Sequence, residues 1–478
     1  MTGDLVMAID IGSSSVRASL YDPEARLLKG TESRIIRTFI SGPKGESEMN
    51  AVQAFDEVLQ VIDECLARAQ NIGGEIKHIA IACFWHGLLG LNGNSEPTTP
   101  VIGWADTRSS KFTAQLRSDI DEAAVHDRVG ARFHSSFWPA KLLRLREAEK
   151  ATWSSTAHWV SFSDYFIARL TGTFATSTSM ASGTGLYNLH QHDWDTELLE
   201  YLDLDATRLP VINDESQTLT DDYANRWPRL ADAELCSPIA DGIANTIGSG
   251  CTTRLRAALM LGTSGALRVM YEGEPPATIP PGLWCYRVDE KRVIVGGALS
   301  DGGNLIAKLL AETDTPPDRL KDLVEGPRLD GPLVMPFFFG ERSTGYHEDA
   351  RGRIIGSDGF DSVSIMGAAM GGVAFRFVEI LDQLESISPI DEIVISGGAL
   401  REFPSWRQII ADVLGRDLLL SAESEATSRG AALLALKKAD RNSDEPLEKI
   451  HVNKDNHEIY KELRERHRRA YDELFGQS

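Results

Sequence analysis

Two hydrophobic periods alternate along this chain, and together they divide it into strands and helices. Residues 5–10 form an unbroken apolar run closed by Asp10, a Gly and Ser turn follows, and residues 16–21 form a second run. That pattern predicts a hairpin with an acidic residue at its mouth. Residues 51–70 place apolar positions at helical spacing, 78–83 read as a buried strand, and 141–148 as a helix. In the second half a helix over 362–384 precedes a strand over 392–396, a glycine pair, a helix over 406–414, a strand over 417–421 and a small-residue helix over 428–436. Strands alternating with helices predict α/β layers. Residues 437–448 are polar and charged, and 459–475 read as a terminal helix.

The opening hairpin has an echo. Ile11-Gly12-Ser13-Ser14-Ser15 returns as Leu261-Gly262-Thr263-Ser264-Gly265, each after an apolar strand and before another, so a duplicated domain is the economical reading. Length agrees, because 478 residues exceed one ordinary core and imply two domains of roughly 200–250 residues.

Charge narrows the partners. Lys and Arg number 49 against 70 Asp and Glu, a net charge of -21. General affinity for nucleic acid or an anionic membrane is therefore not expected, and an anionic ligand needs local donors. The longest apolar runs are too short to span a bilayer. Five scattered cysteines lack the pairing of a zinc site or a disulfide framework, and the N-terminus lacks a signal-peptide pattern, so a cytoplasmic protein that starts near Met1 is expected.

Glycine and hydroxyl turns can aim backbone N–H groups at phosphate oxygens, and two such turns in matching contexts suggest a nucleotide gripped between two halves. Taken alone, either is an ordinary hairpin turn. Asp10 beside the first turn is either a Mg²⁺ ligand or a turn cap. Asp241, between an apolar strand and a small-residue helix, is either a general base or a helix N-cap. Gly397-Gly398-Ala399 after an apolar strand would form a slot for an adenine ring or merely close packing. Neither a Rossmann nor a Walker fingerprint is present.

With these residues in place, the chain resembles the FGGY carbohydrate kinases of the actin-like ATPase superfamily, from Val6 to about Leu436. The strings that carry the resemblance are AIDIGSSSVR, WADTR at 104–108, DYFIARLTG at 164–172, ADGIANTIGSG at 240–250, LGTSGALR at 261–268, GERSTGYHEDARGRIIG at 340–356 and SGGA followed by SWRQIIADVLG. FWHGLLGL around His86, FHSSFWPAKLLRLR from Phe133, SMASGTGLYNLHQHDWD from Ser179 and GGALSDGG from Gly296 look most like the gluconokinases.

The resemblance implies two actin-like (ribonuclease H-like) α/β domains with mixed sheets flanking a central cleft. Residues 1–238 would form the mainly sugar-binding domain, 239–440 the mainly ATP-binding domain, and 441–478 a charged segment and helix. It implies ATP and Mg²⁺, with Asp10 at the metal, Gly12, Ser13, Ser14, Gly262 and Thr263 at the phosphates, Gly397, Gly398 and Ala399 at the adenosine, and Asp241 as catalytic base. His86, Asp106 and Arg108 match the sugar site, where Arg108 is the candidate partner of a gluconate carboxylate. Ser13 stands where Thr is usual, and Trp85 where Met or a similar residue is usual. The expected partner is a small sugar or sugar acid, with a homodimer compatible. Two alternatives stay open: a pentulose or polyol kinase such as a xylulokinase, and a catalytically silent sensor on the same fold.

Overall fold

A computed structural model describes residues 4–313, 315, 317–320, 326–441 and 447–476. The first predicted hairpin is present: Asp4–Ile11 runs antiparallel to Ser15–Tyr21, with Asp10 opposite Arg17. Almost every residue of both strands is buried, which is why the sequence shows continuous apolar runs rather than strict alternation. Ser33–Ile36 pairs antiparallel with Ser15–Tyr21, and Glu75–Cys83 pairs parallel with Asp4–Ile11. Two short strands, Glu234–Leu235 and Ile239–Ala240, extend the parallel side.

The second half repeats this plan. Arg256–Leu261 and Gly265–Glu272 form the hairpin, Arg292–Leu299 lies antiparallel beyond it, and Glu392–Ser396 then Leu418–Leu420 lie parallel on the other side. Trp284–Arg287 and Glu448–Ile450 add antiparallel edges. Duplication, inferred from two glycine turns, thus extends to strand order and direction across two mixed sheets.

Helices cover the sheets as their periodicity requires. Ala51–Arg68 starts where Asn50 accepts the Gln53 N–H, and it turns Ala54, Phe55, Val58, Val61, Ile62 and Cys65 inward. Ser362–Glu385, capped by Asp361, packs on the second sheet. Among the described residues it is the one helix long and apolar enough to cross a membrane, yet 67% of its apolar window is buried inside the protein. Its composition is that of a core helix.

Boundaries shift where local capping was not weighed. The terminal helix spans Lys454–Phe475, because Asn453 caps it by accepting the Asp455 and Asn456 N–H groups. Pro404 opens the helix Pro404–Leu414 at its first turn, where a missing N–H costs nothing, and a short helix, Gly398–Glu402, precedes it.

Two helices join the halves. Asp241–Gly248 packs along Ala426–Ala435, which also lies against Asp4–Ile11 and Glu75–Cys83 of the first sheet. Their backbones touch through glycine: a Cβ on Gly430 would lie 1.8 Å from the Ala244 carbonyl oxygen, and one on Gly248 1.8 Å from that of Ala426. Gly430 therefore serves close helix contact. Gly430→Ala is expected to cost about 1–3 kcal/mol through overpacking, read from the midpoint of urea unfolding.

Candidate active site

The two sequence-predicted carboxylates meet where the halves join. Asp10 closes its strand at 8% exposure. Arg17, opposite it, lies 3.8 Å from Asp10 Oδ2 but 2.6 Å from Glu425 Oε2, so its charge is shared with a residue of the second half. Burial pushes the Asp10 carboxyl up to about 7 against the pull of Arg17, and the nearby Asp241 and Glu425 charges push the same way as burial. An anion this poorly compensated suits a site that receives a cation.

Asp241 is the first residue of its helix, and the cap position falls on Ala240, which makes no side-chain cap bond. The carboxylate instead takes the Gly242 N–H at 2.7 Å. Burial raises its pKa, while Arg268 opposes the rise. Ser179 fixes the approach: its Oγ accepts the Ala240 N–H at 3.0 Å, and its carbonyl accepts Trp85 Nε1–H at 3.0 Å. Gly242 lets these side chains approach closely: a Cβ would lie 3.2 Å from the Arg268 guanidinium and 3.3 Å from Trp85.

Both phosphate-turn candidates are tight and accessible. Gly12 N–H bonds Ser15 O and Gly262 N–H bonds Ser264 O, each at 2.9 Å. The Ser13, Ser14 and Thr263 amides carry no bond to another backbone group among the described residues, so they are free to meet an anion. Sequence reasoning missed two supports of these turns. Arg37 holds the Gly12 carbonyl through Nε and Nη2 at 3.2 and 3.0 Å. The helix Gly303–Thr313 starts on the second turn, with Gly303 N–H bonding Gly262 O at 2.7 Å. The GGALSDGG string carried that second signal; Arg37 stands in no motif.

Gly397 adopts φ 115°, where a Cβ would also lie 2.3 Å from the Leu261 carbonyl oxygen. Gly398, by contrast, meets nothing within 4 Å. Ala399 lies against Gly303, where a Cβ would come 3.2 Å from its own. Gly262, Gly303, Gly397 and Ala399 thus form one small-residue patch beside the second turn. Open amides, an accessible glycine and two buried carboxylates are a donor set that fits a nucleotide polyphosphate with a hydrated divalent cation.

His86 sits nearby with φ 67° and Nδ1 2.5 Å from the Gly183 carbonyl; burial lowers its pKa to about 3, so it is neutral at pH 7. Lys141, fully buried, holds the His86 carbonyl at 2.7 Å. Trp85, Trp284 and Tyr286 wall this region, the last two stacked at 4.6 Å. The loop over 340–350 reaches across from the second half: Glu348 accepts the Ser135 N–H at 2.6 Å and its Oγ–H at 2.9 Å. Arg342 of the same loop stacks on Trp104 at 4.4 Å.

Asp106 and Arg108 are placed differently from the other candidates. Asp106 is fully buried and accepts the Ser47 N–H at 3.0 Å, while Arg108 donates to Asp106 and, at 2.5 Å, to Glu48. The guanidinium is thus committed to two carboxylates of its own chain, an arrangement that clips the WADTR loop to the segment at 47–48. A cavity of about 830 Å³ runs from the Asp4 and His78 ends of the first-sheet strands past Ser179 and Ile239 to Ala431 and Lys438, and neither Asp10 nor Asp241 lines it.

Two α/β halves with repeated mixed sheets, each opening on a glycine-turn hairpin, have the fold of the actin-like sugar kinases. The chain belongs to the FGGY family of carbohydrate kinases: the family's N-terminal domain matches residues 5–225 and its C-terminal domain residues 257–439. It is 25% identical to a gluconokinase of Bacillus subtilis (strain 168) over 459 residues, covering 90% of this chain and 87% of that protein. Among solved structures, a ligand-bound xylulose kinase from Lactobacillus acidophilus superposes with TM-score 0.89 at 24% identity, covering 100% of this chain and 99% of that one. A gluconate kinase from the same organism gives 0.87 at 24%, covering 98% of each. Enzymes of this family transfer phosphoryl groups to sugar hydroxyls using ATP, normally with Mg²⁺.

Proposed function

We propose that this enzyme phosphorylates the terminal 6-hydroxyl of gluconate. What supports the reading is the membership of the family, the placing of Asp10 where it feels the Asp241 charge, and the gluconokinase-like strings around His86, Phe133 and Ser179. Asp241, held by Ser179 and Gly242, would orient the hydroxyl and take its proton. Its carboxylate needs to be ionised for this, and the neighbouring Arg268 charge favours that form.

Asp10 would hold Mg²⁺, directly or through water, and the turn amides of Ser13, Ser14 and Thr263 would meet the phosphate oxygens. The bound cation offsets the charge of the transferring group. Gly397, Gly398 and Ala399 would border the adenosine. His86, kept neutral and aimed by Gly183, would offer a hydrogen bond to a sugar hydroxyl. Residues 1–238 carry the acceptor side in this reading, 239–440 the nucleotide side, and 441–478 the closing segment.

The test is a coupled ADP-release assay across gluconate, xylulose, ribulose, glycerol and fuculose. Gluconate is expected to give the highest kcat/KM. A preference for any uncharged sugar would overturn gluconate and leave a carbohydrate kinase of another specificity; no turnover on any acceptor would favour a silent sensor.

A further inference from the structure

Six arginines are buried among the described residues: Arg37, Arg144, Arg268, Arg287, Arg376 and Arg429. Five have partners at hydrogen-bond distance. Arg37 holds Gly12 O, Arg144 holds Ser109 Oγ, Arg287 holds Leu189 O, Arg376 holds Glu341 at 2.7 Å, and Arg429 holds Gly248 O at 2.8 Å. Arg268 differs. At 7% exposure its Nε and Nη1 have no hydrogen-bond partner, and no carboxylate of the described residues comes within ion-pair distance.

Its position is set by the sheet and by two glycines. Arg268 lies within Gly265–Glu272, paired with Ala258 on one side and Gly296 on the other. A Cβ at Gly296 would lie 3.0 Å from Arg268 Cγ, and one at Gly242 3.2 Å from its Cζ. The side chain therefore crosses Gly296 and ends beside the Asp241-Gly242 pair. An unpaired guanidinium is costly to bury, and a fold that clears two glycines to keep one beside the catalytic carboxylate has a use for its charge. Its planar fork of N–H donors matches a carboxylate.

We propose that Arg268 receives the carboxylate of an acidic acceptor, and so determines whether the enzyme prefers sugar acids to neutral sugars. This rests on the reading above that the acceptor is a sugar acid, and it moves the role from Arg108, whose guanidinium is already paired with Asp106 and Glu48. The competing oxyanion is the transferring phosphoryl group, which lies at Asp241 whatever the acceptor. A ratio between acceptors separates the two.

Arg268→Gln and Arg268→Lys would be compared with the native enzyme on gluconate and on glucitol, its uncharged counterpart. The measurements are kcat/KM with Mg·ATP, Kd of each acceptor by calorimetry without nucleotide, and Kd of a non-hydrolysable ATP analogue. The gluconate-to-glucitol ratio is expected to fall roughly 10- to 150-fold in Arg268→Gln, as for loss of a charged hydrogen bond, with partial recovery in Arg268→Lys. Nucleotide Kd should change less than threefold, and a cooperative melt should show that Arg268→Gln is folded. Equal losses on both acceptors overturn the proposal: with weakened nucleotide they assign Arg268 to the phosphoryl group, and without it to structure. Native enzyme that refuses gluconate but accepts another sugar acid overturns only the gluconate reading, and the ratio is then taken between that acid and its alditol. Native enzyme that accepts only neutral sugars overturns both.

Discussion

Asp241→Asn is expected to lower kcat by about 10² to 10⁴-fold, the range for loss of a general base, while Kd for acceptor and nucleotide changes little. The geometry makes this a clean substitution. Asp241 takes the Gly242 N–H through one oxygen at 2.7 Å, a bond the Asn carbonyl oxygen reproduces, and Ala240 stays fixed by Ser179. The helix does not rely on Asp241 for its cap, so folding should be preserved. Single-turnover quench-flow at saturating Mg·ATP would isolate the chemical step. Turnover near the native value in folded protein would remove Asp241 from the chemistry.

Asp10→Asn should have the second large effect, in two opposite directions. Activity should fall at least about 100-fold, because a neutral amide is a poor partner for a Mg²⁺ that the phosphates alone must then hold. Stability of the free enzyme should rise, and the sign follows from linkage. The carboxyl titrates at about 7 in the folded chain against 3.8 when unperturbed, so over that interval the folded state holds the extra proton. Native stability is therefore lost as pH rises from about 4 to 7, and the penalty is complete above 7. Asn removes it. Melting curves without Mg²⁺ should show the variant gaining several degrees over the native chain at pH 8 and far less at pH 4.5. A gain that does not vary with pH would disconnect Asp10 from the titration.

Much of this architecture was legible because its signals are local. Gly12 and Gly262 sit in turns whose flanking runs are apolar for lengths only strands need, and repetition of the turn announced the repeated sheet. The Gly398–Glu402 helix was not, since its five residues carry no measurable period. Site residues divide in the same way. Asp10 lies at the end of a strand and Asp241 and the glycines follow strands directly, so position along the chain gives position in the fold. Arg37 acts from beyond an edge strand, and Glu348 meets Ser135 across 213 positions, so neither role can be read from neighbours in sequence. Arg108 shows the converse. Its motif was conspicuous, yet Glu48, which engages it together with its own neighbour Asp106, comes from sixty positions away and is a partner made only by folding. Arg268 stood inside a recognised string, but its isolation is a property of what surrounds it in space.

The helix Ala426–Ala435 belongs by sequence to the second half and by packing to the first, where it lies on Asp4–Ile11 and Glu75–Cys83. With Gly248 and Gly430 locking it to Asp241–Gly248, a segment synthesised late completes the core laid down first. The two halves are then cooperative partners rather than independent foldons: loosening either one exposes apolar surface in the other. A nascent chain would stay incomplete until nearly all of it has left the ribosome, and a proteolytic cut between the halves need not separate them, because the interlocked helices would hold the pieces as one body.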